Sequence, residues 1–154
     1  NMGSKQHMNY TMMGEVVNLA ARLESGAKHY GVYFLTTYDT LKEAGIEKFE
    51  WRYVDRTLFV GFEKWTQTVE ILGFKNKIDD KEKILIQKFQ KGLEYYYNKK
   101  WNEAIKLFEE SKKYETIRHK KDINPSIIYI DRSNSFIKNA PSEDWDGGYQ
   151  LEEK

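Results

Sequence analysis

No cysteine occurs among the 154 residues. Disulfides, thiolate nucleophiles and cysteine-based zinc sites are therefore excluded together, and a reducing compartment fits. An excess of one charge is also missing, since 25 basic and 24 acidic side chains leave a formal +1. Nucleic-acid binding needs a clear basic excess, so no nucleic-acid partner is expected. No apolar run approaches the roughly 18 residues of a membrane span, and no signal peptide is visible. The chain begins "NMGSKQHMNYT" and enters a structured motif almost at once, which suggests a piece of a longer protein. A cytoplasmic location is expected, with room for a membrane anchor in a preceding region. The common phosphate and hydrolase signatures are absent too: GxxxxGK before Ser or Thr, GxGxxG, HExxH and GxSxG. The three histidines, His7, His29 and His119, are scattered, which fits surface or core positions better than metal ligation.

What is present suffices for a core. Hydrophobic residues make up 40% and aromatics 15%, despite a mean hydropathy of -0.79. The length suits one domain, or two small units sharing an interface.

The first half alternates element types. Val16 to Tyr30 reads as a helix with an apolar stripe of Val17, Ala20, Ala21, Leu23, Ala27 and Tyr30, and Gly31 suits the position after its end. "VYFLT" (32–36) is a short β-rich run, and Thr37 can cap a brief helix through "YDTLKEA" that Gly45 stops. "FEWRYVDRTLFVGF" (49–62) and "QTVEILGF" (67–74) read as strands joined by the turn-like "EKWT". The predicted order is strand, helix, strand, helix, hairpin, an α+β layer arrangement.

A charged stretch, "NKIDDKEK" (76–83), divides the chain into a first unit, 1–75, and a second, 84–154. Within the second, residues 84–115 are strongly helical. Phe89, Leu93 and Tyr96, then Trp101, Ala104, Ile105 and Phe108, recur at helical spacing around an Asn98-Lys99-Lys100 turn. This hairpin resembles a single tetratricopeptide repeat, with the Gly92, Tyr96, Ala104 and Phe108 pattern of that family. One such unit cannot bury both faces, so it should pack on the first half or on a partner. Pro125 starts a third short helix within 124–141, and the tail "SEDWDGGYQLEEK" reads as loop or irregular structure.

Asn18 and Arg22 stand out chemically. At i and i+4 they lie one turn apart on one side of the helix. A guanidinium fork suits phosphate oxygens, and an amide can both donate to and accept from a sugar hydroxyl. Gly14 would let the backbone turn sharply before a helical first turn whose free N–H groups favour anions. From spacing alone, a blander arrangement stands beside this one: an Asn near a helix start and an Arg on a solvated edge.

The segment "GSKQHMNYTMMGEVVNLAARLE" (3–24) resembles the signature of the class III nucleotidyl cyclases. The matching residues are Gly3-Ser4, Tyr10-Thr11, Gly14, Val17-Asn18 and Arg22-Leu23-Glu24, and "HYGVYFLTT" and "VDRTLFVGF" fit more loosely. The resemblance implies the C-terminal part of a ferredoxin-like cyclase domain, followed by a helical extension like those of some bacterial adenylate cyclases. In that family two catalytic domains pair head to tail, with the nucleotide at their interface. Asn18 would then orient the ribose, Arg22 would stabilise charge on the α-phosphate, and Thr11 would read the adenine amino group, favouring ATP over GTP. Glu15 departs from the usual Asp or Asn. The family's phosphate-binding loop lysine falls at Val60 beside Gly61, leaving Lys64 as the substitute for the terminal phosphates. The family's metal-binding aspartates, which hold Mg²⁺ or Mn²⁺, belong to an earlier half not recognisable here. The resemblance therefore implies a cyclase fragment that makes cyclic AMP and pyrophosphate only within its intact parent, and a truncated layer that tends to self-associate. Two other readings stay open: an interaction module built on Tyr95, Tyr96, Tyr97 and Trp101, and a degenerate cyclase that binds nucleotide without turnover.

Overall fold

A computed structural model describes residues 2–115 and 122–152, with 2–13 described by their backbone alone. The first helix, α1, spans Met2–Tyr30. The turn expected at Gly14 is not there, and neither is a leading strand, because the helix continues through both. Gly14 has no neighbour within 4 Å of where a Cβ would sit. One glycine costs a helix only about 1 kcal/mol relative to alanine, and straight-chain Met12, Met13 and Glu15 surround it. The buried stripe also differs from the predicted one. Leu19 and Leu23 are partly covered and Ala27 and Tyr30 are buried, whereas Val17 is 65% exposed and Ala20 and Ala21 face solvent.

Gly31 ends α1 at φ 71°, and Val32 N–H then bonds back to Ala27 O at 3.0 Å. A Cβ at Gly31 would lie 2.2 Å from the Ile123 carbonyl oxygen. Gly31→Ala combines a left-handed alanine, about 1–2 kcal/mol, with a backbone clash worth about 1–3 kcal/mol. Urea titration should show the midpoint falling accordingly with an unchanged slope.

The sheet holds β1 (Leu35–Thr37), β2 (Phe49–Leu58), β3 (Thr66–Phe74) and β4 (Tyr149–Gln150) in the order β1-β3-β2-β4. β3 pairs antiparallel with both β1 and β2, and β4 runs parallel to β2. β1 starts at Leu35 rather than residue 32, leaving Tyr33 and Phe34 exposed, and β2 stops at Leu58 rather than 62. Helix α2 (Tyr38–Ala44) forms as its caps predict, with Thr37 Oγ1 accepting from Thr40 N at 3.0 Å and Gly45 after its end. The register of β2 on β3 slips between Tyr53 and Asp55. Such a bulge breaks the in–out alternation, so Val54 and Asp55 are both buried.

Ile78 is buried and Asp79 caps α3 (Asp80–Tyr97), its carboxylate accepting from Glu82 N at 2.8 Å. Lys99, at φ 60°, turns the chain into α4 (Trp101–Lys112). Asn124 caps α5 (Pro125–Lys138), with Pro125 in its first turn. α3 and α4 approach closely because Gly92 has no side chain; a Cβ there would come within 2.7 Å of the Phe108 ring.

Two apolar cores result. Ala27, Tyr30, Val32, Leu35, Val54, Phe59 and Leu151 form one beneath α1, and Phe89, Leu93, Tyr96, Phe108, Tyr129 and Ile130 form the other among the helices. The helical unit closes on the first half at the outer edge of β2. There Gln90 Oε1 accepts from Tyr53 N at 2.9 Å and the Tyr129 hydroxyl donates to Val54 O at 2.6 Å, side chains filling the role of a neighbouring strand. The tail is more ordered than predicted. Trp145 packs against Tyr96, β4 pairs with β2, and Leu151 enters the first core with its N–H on Leu58 O at 3.2 Å. Apolar Trp145, Tyr149 and Leu151 supply the surface that holds it.

Candidate functional site

Asn18 and Arg22 project from adjacent turns of α1, Asn18 exposed and Arg22 half-buried. Leu19, Leu23, Ala27 and Tyr30 set the face that α1 presents to the core, and Arg22 adjoins it on the flank of Gly26. Gly26 sits over Phe59, whose ring lies 3.4 Å from the position of a Cβ there. Phe59 and Phe62 both contribute to the core under α1, which seats the β2–β3 loop beside the helix. That loop carries Val60, Gly61 at φ 84° and Lys64, whose side chain is exposed. Gly26, four residues beyond Arg22 and eight beyond Asn18, is thus the α1 position that meets the start of this loop. Thr11 lies seven residues before Asn18 on the same helix, but its side chain is outside the described residues. The same holds for the side chain of His7 and for His119, while His29 is exposed with its ring 4.9 Å from that of Tyr30.

A cleft of about 440 Å³ between α1 and β1 is lined by Ala20, Leu23, Glu24, Ala27, Tyr33 and Phe34 among others. At about 100° per residue, Ala20 and Glu24 lie roughly 160° around the helix from Asn18 and Arg22. The pair therefore occupies the opposite flank of α1 from this apolar cleft. A second cleft, about 340 Å³, lies between β2, β3 and α3 and is lined by Tyr53, Arg56, Gln67, Gln90, Glu94 and Tyr97 with others.

The most concentrated electrostatics lie beneath the surface, around two charged residues of β2. Asp55, 2% exposed, gathers groups from three elements. Its Oδ2 accepts from the Tyr30 hydroxyl of α1 at 2.5 Å and lies 2.9 Å from Nη1 of Arg132 on α5. Its Oδ1 accepts from Arg56 N at 2.9 Å and lies 2.9 Å from the Tyr129 hydroxyl, which divides one proton between this oxygen and Val54 O. The Tyr149 ring covers the Arg132 guanidinium at 3.6 Å. Burial pushes the phenols of Tyr30 and Tyr129 well above their usual range, and the Asp55 charge adds to it. Burial opposes the charge on Arg132 most strongly, but Asp55 together with Tyr129, Tyr30 and Tyr96 outweighs it and holds this guanidinium protonated.

Arg52, 1% exposed, centres the other cluster. Its Nε donates to Glu70 at 2.6 Å, and Nη1 and Nη2 donate to Glu115 at 2.6 and 3.0 Å. Ser126 donates to Glu115 at 2.9 Å and lies 2.6 Å from Ser111. Neither cluster is foreseen from the sequence, because the β2 run FEWRYVDRTL mixes charged and apolar residues and its bulge shifts which of them turn inward.

Tyr96 is buried against Trp101, Tyr129, Phe136 and Trp145, with centroids 4.7 to 6.1 Å away. These rings fill the second core, and Tyr97 stacks under the Arg56 guanidinium at 4.5 Å. Among the described residues no three His, Cys, Asp or Glu side chains converge to hold a metal ion. No helix among them is long and apolar enough to cross a membrane.

The chain is similar to a curated protein of Dictyostelium discoideum named "Adenylate cyclase, terminal-differentiation specific". The two are 28% identical over 142 residues, which is 89% of this chain. The chain spans only 6% of the length of that relative. No family model matches the chain. No solved structure matches it either.

Proposed function

We propose that this chain is part of an adenylate cyclase and supplies the Asn18 and Arg22 side of its nucleotide site. The observation that carries this reading is the placement of the two side chains on adjacent turns of α1 in a chain whose similarity to an adenylate cyclase covers 89% of it. In the reaction, the ribose 3′ hydroxyl releases its proton to water and its oxygen attacks the α-phosphorus. The new O–P bond closes the ring, the bond to the β-phosphate breaks, and pyrophosphate leaves. Negative charge builds on the α-phosphate oxygens, where a guanidinium fork at Arg22 stabilises it. Asn18 holds the ribose so that the 3′ oxygen stays in line. Thr11 accepts from the adenine amino group, and Lys64 meets the terminal phosphates. Mg²⁺ or Mn²⁺ would have to be held by carboxylates from elsewhere, so the chain by itself is proposed to be inactive.

A second catalytic domain, paired head to tail, would complete the site. Val16, Val17, Tyr33 and Phe34 are all more than half exposed, but Tyr33 and Phe34 line the cleft on the flank of α1 away from Asn18 and Arg22, so they mark a separate apolar surface rather than the side on which that domain would complete the site.

The test is Arg22→Ala in the longer cyclase to which the chain is proposed to belong. Cyclic AMP formation should fall about 10²–10³-fold in kcat, the range for removing one transition-state donor, and a melting curve of the variant, whose lost side chain is half-buried, separates a catalytic loss from a folding loss. Near-normal turnover would refute the role.

A further inference from the structure

The polar anchor of α1 is placed unusually. From Gly14 to Asn18 the helix is exposed, and its burial comes from Gly26, Ala27 and Tyr30 near its end. The Tyr30 hydroxyl meets Oδ2 of Asp55, and that same oxygen pairs with Arg132 of α5. Thr57 Oγ1, 3.0 Å from the same hydroxyl, completes the clamp. The helix bearing Asn18 and Arg22 and the last helix of the C-terminal unit therefore share one carboxylate oxygen.

We propose that α5 sets the seating of α1 through Asp55, with Arg132 as the positioning residue and Tyr30 as the pivot. Its bearing on catalysis rests on the reading of Asn18 and Arg22 above; the coupling itself does not. Without Arg132 the Asp55 charge would stay buried with no cation beside it, a costly arrangement. Three elements surround that charge, and α1, held by its last turns, yields most easily to let water in. Arg22 lies eight residues before Tyr30, about 12 Å along the helix, so a tilt of about 10° at the pivot moves it by about 2 Å. Displacement of that size suffices to misplace a catalytic group. A shift of α5, by whatever the C-terminal unit binds, would reach the nucleotide site by this route.

Hydrogen exchange on the 154-residue chain tests the coupling. Tyr30→Phe removes one hydroxyl and no charge, and should speed exchange of the 20–30 amides roughly tenfold or more, leaving 85–111 unchanged. Arg132→Met should show the same pattern, and Asp55→Asn combined with Arg132→Met should restore most of the protection. Unchanged α1 exchange in Tyr30→Phe overturns the proposal. So does a rise in Arg132→Met that is equal in α1 and in the α3–α4 hairpin, or a double variant that recovers nothing. In the longer protein, Arg132→Met should lower kcat for cyclic AMP formation at least about tenfold, and an unchanged kcat overturns the link to the site. If the longer protein makes no cyclic AMP at all, the nucleotide reading fails while the exchange result still decides the coupling.

Discussion

Arg52→Met is expected to cost about 3–5 kcal/mol or more, the range for breaking a buried ion pair, against a total of about 5–15 kcal/mol for a domain. Arg52 and Glu70 face each other across β2 and β3, and Glu115 reaches the same guanidinium from the end of α4. One cation thus serves two carboxylates with 1% to 4% of each side chain exposed. Methionine matches the stem of arginine but removes the guanidinium that both buried acids share. The loss should exceed that of a simple cavity, because the Arg52 guanidinium also covers the Phe89 ring at 4.6 Å. Urea unfolding followed by tryptophan fluorescence measures the deficit. Adding Glu70→Gln and Glu115→Gln to the variant should recover most of it. A deficit that persists in the triple variant would show that packing, rather than uncompensated charge, is the cause.

Alkaline solution should unfold the chain in a single cooperative step. Tyr30, Tyr96 and Tyr129 are at most 1% exposed, and burial comes first among the causes that lift each phenol above its usual range. For Tyr30 and Tyr129, the Asp55 charge comes next in the same direction. A folded-state value raised above the unfolded one gives stability that is fully present below about pH 10 and lost as the pH climbs through the folded values. Each of the three then costs about 1.4 kcal/mol per pH unit above 10, roughly 4 kcal/mol per unit together. Tyr53 and Tyr97, pushed up mainly by burial to about 12, titrate later than a free phenol but nearer the surface. Tyrosinate absorbance should rise gradually and then jump together with the loss of helical circular dichroism. Smooth titration of all 11 tyrosines with the fold retained would contradict the burial argument.

These two effects rest on residues that local patterns describe poorly. Caps and periodicity act over a few residues, so α2 between Thr37 and Gly45, the turn at Asn98–Lys100 and the start of α5 at Pro125 are legible in the chain. Strands β2 and β3 are legible for the same reason, apart from the end at Leu58. Arg52 and Asp55 are not, because their partners Glu115 and Arg132 lie more than 60 residues along the sequence. Gly14 misleads because glycine signals a turn locally while its helix-forming neighbours outweigh it. At the candidate site, the one-turn spacing of Asn18 and Arg22 is readable directly. The approach of the Lys64 loop is not, since it depends on Phe59 and Phe62 packing under α1.

The parallel pairing of Thr57 with Tyr149 has a consequence for synthesis. About 90 residues separate the partners, so at roughly 5–20 residues per second β2 leaves the ribosome some 5–20 s before the strand that covers it. Throughout that interval the end of β2 shows an open hydrogen-bonding edge, and for most of it, until Arg132 emerges, Asp55 has no guanidinium beside it. A chaperone that binds open strand edges would meet β2 in that window, before β4 has been translated.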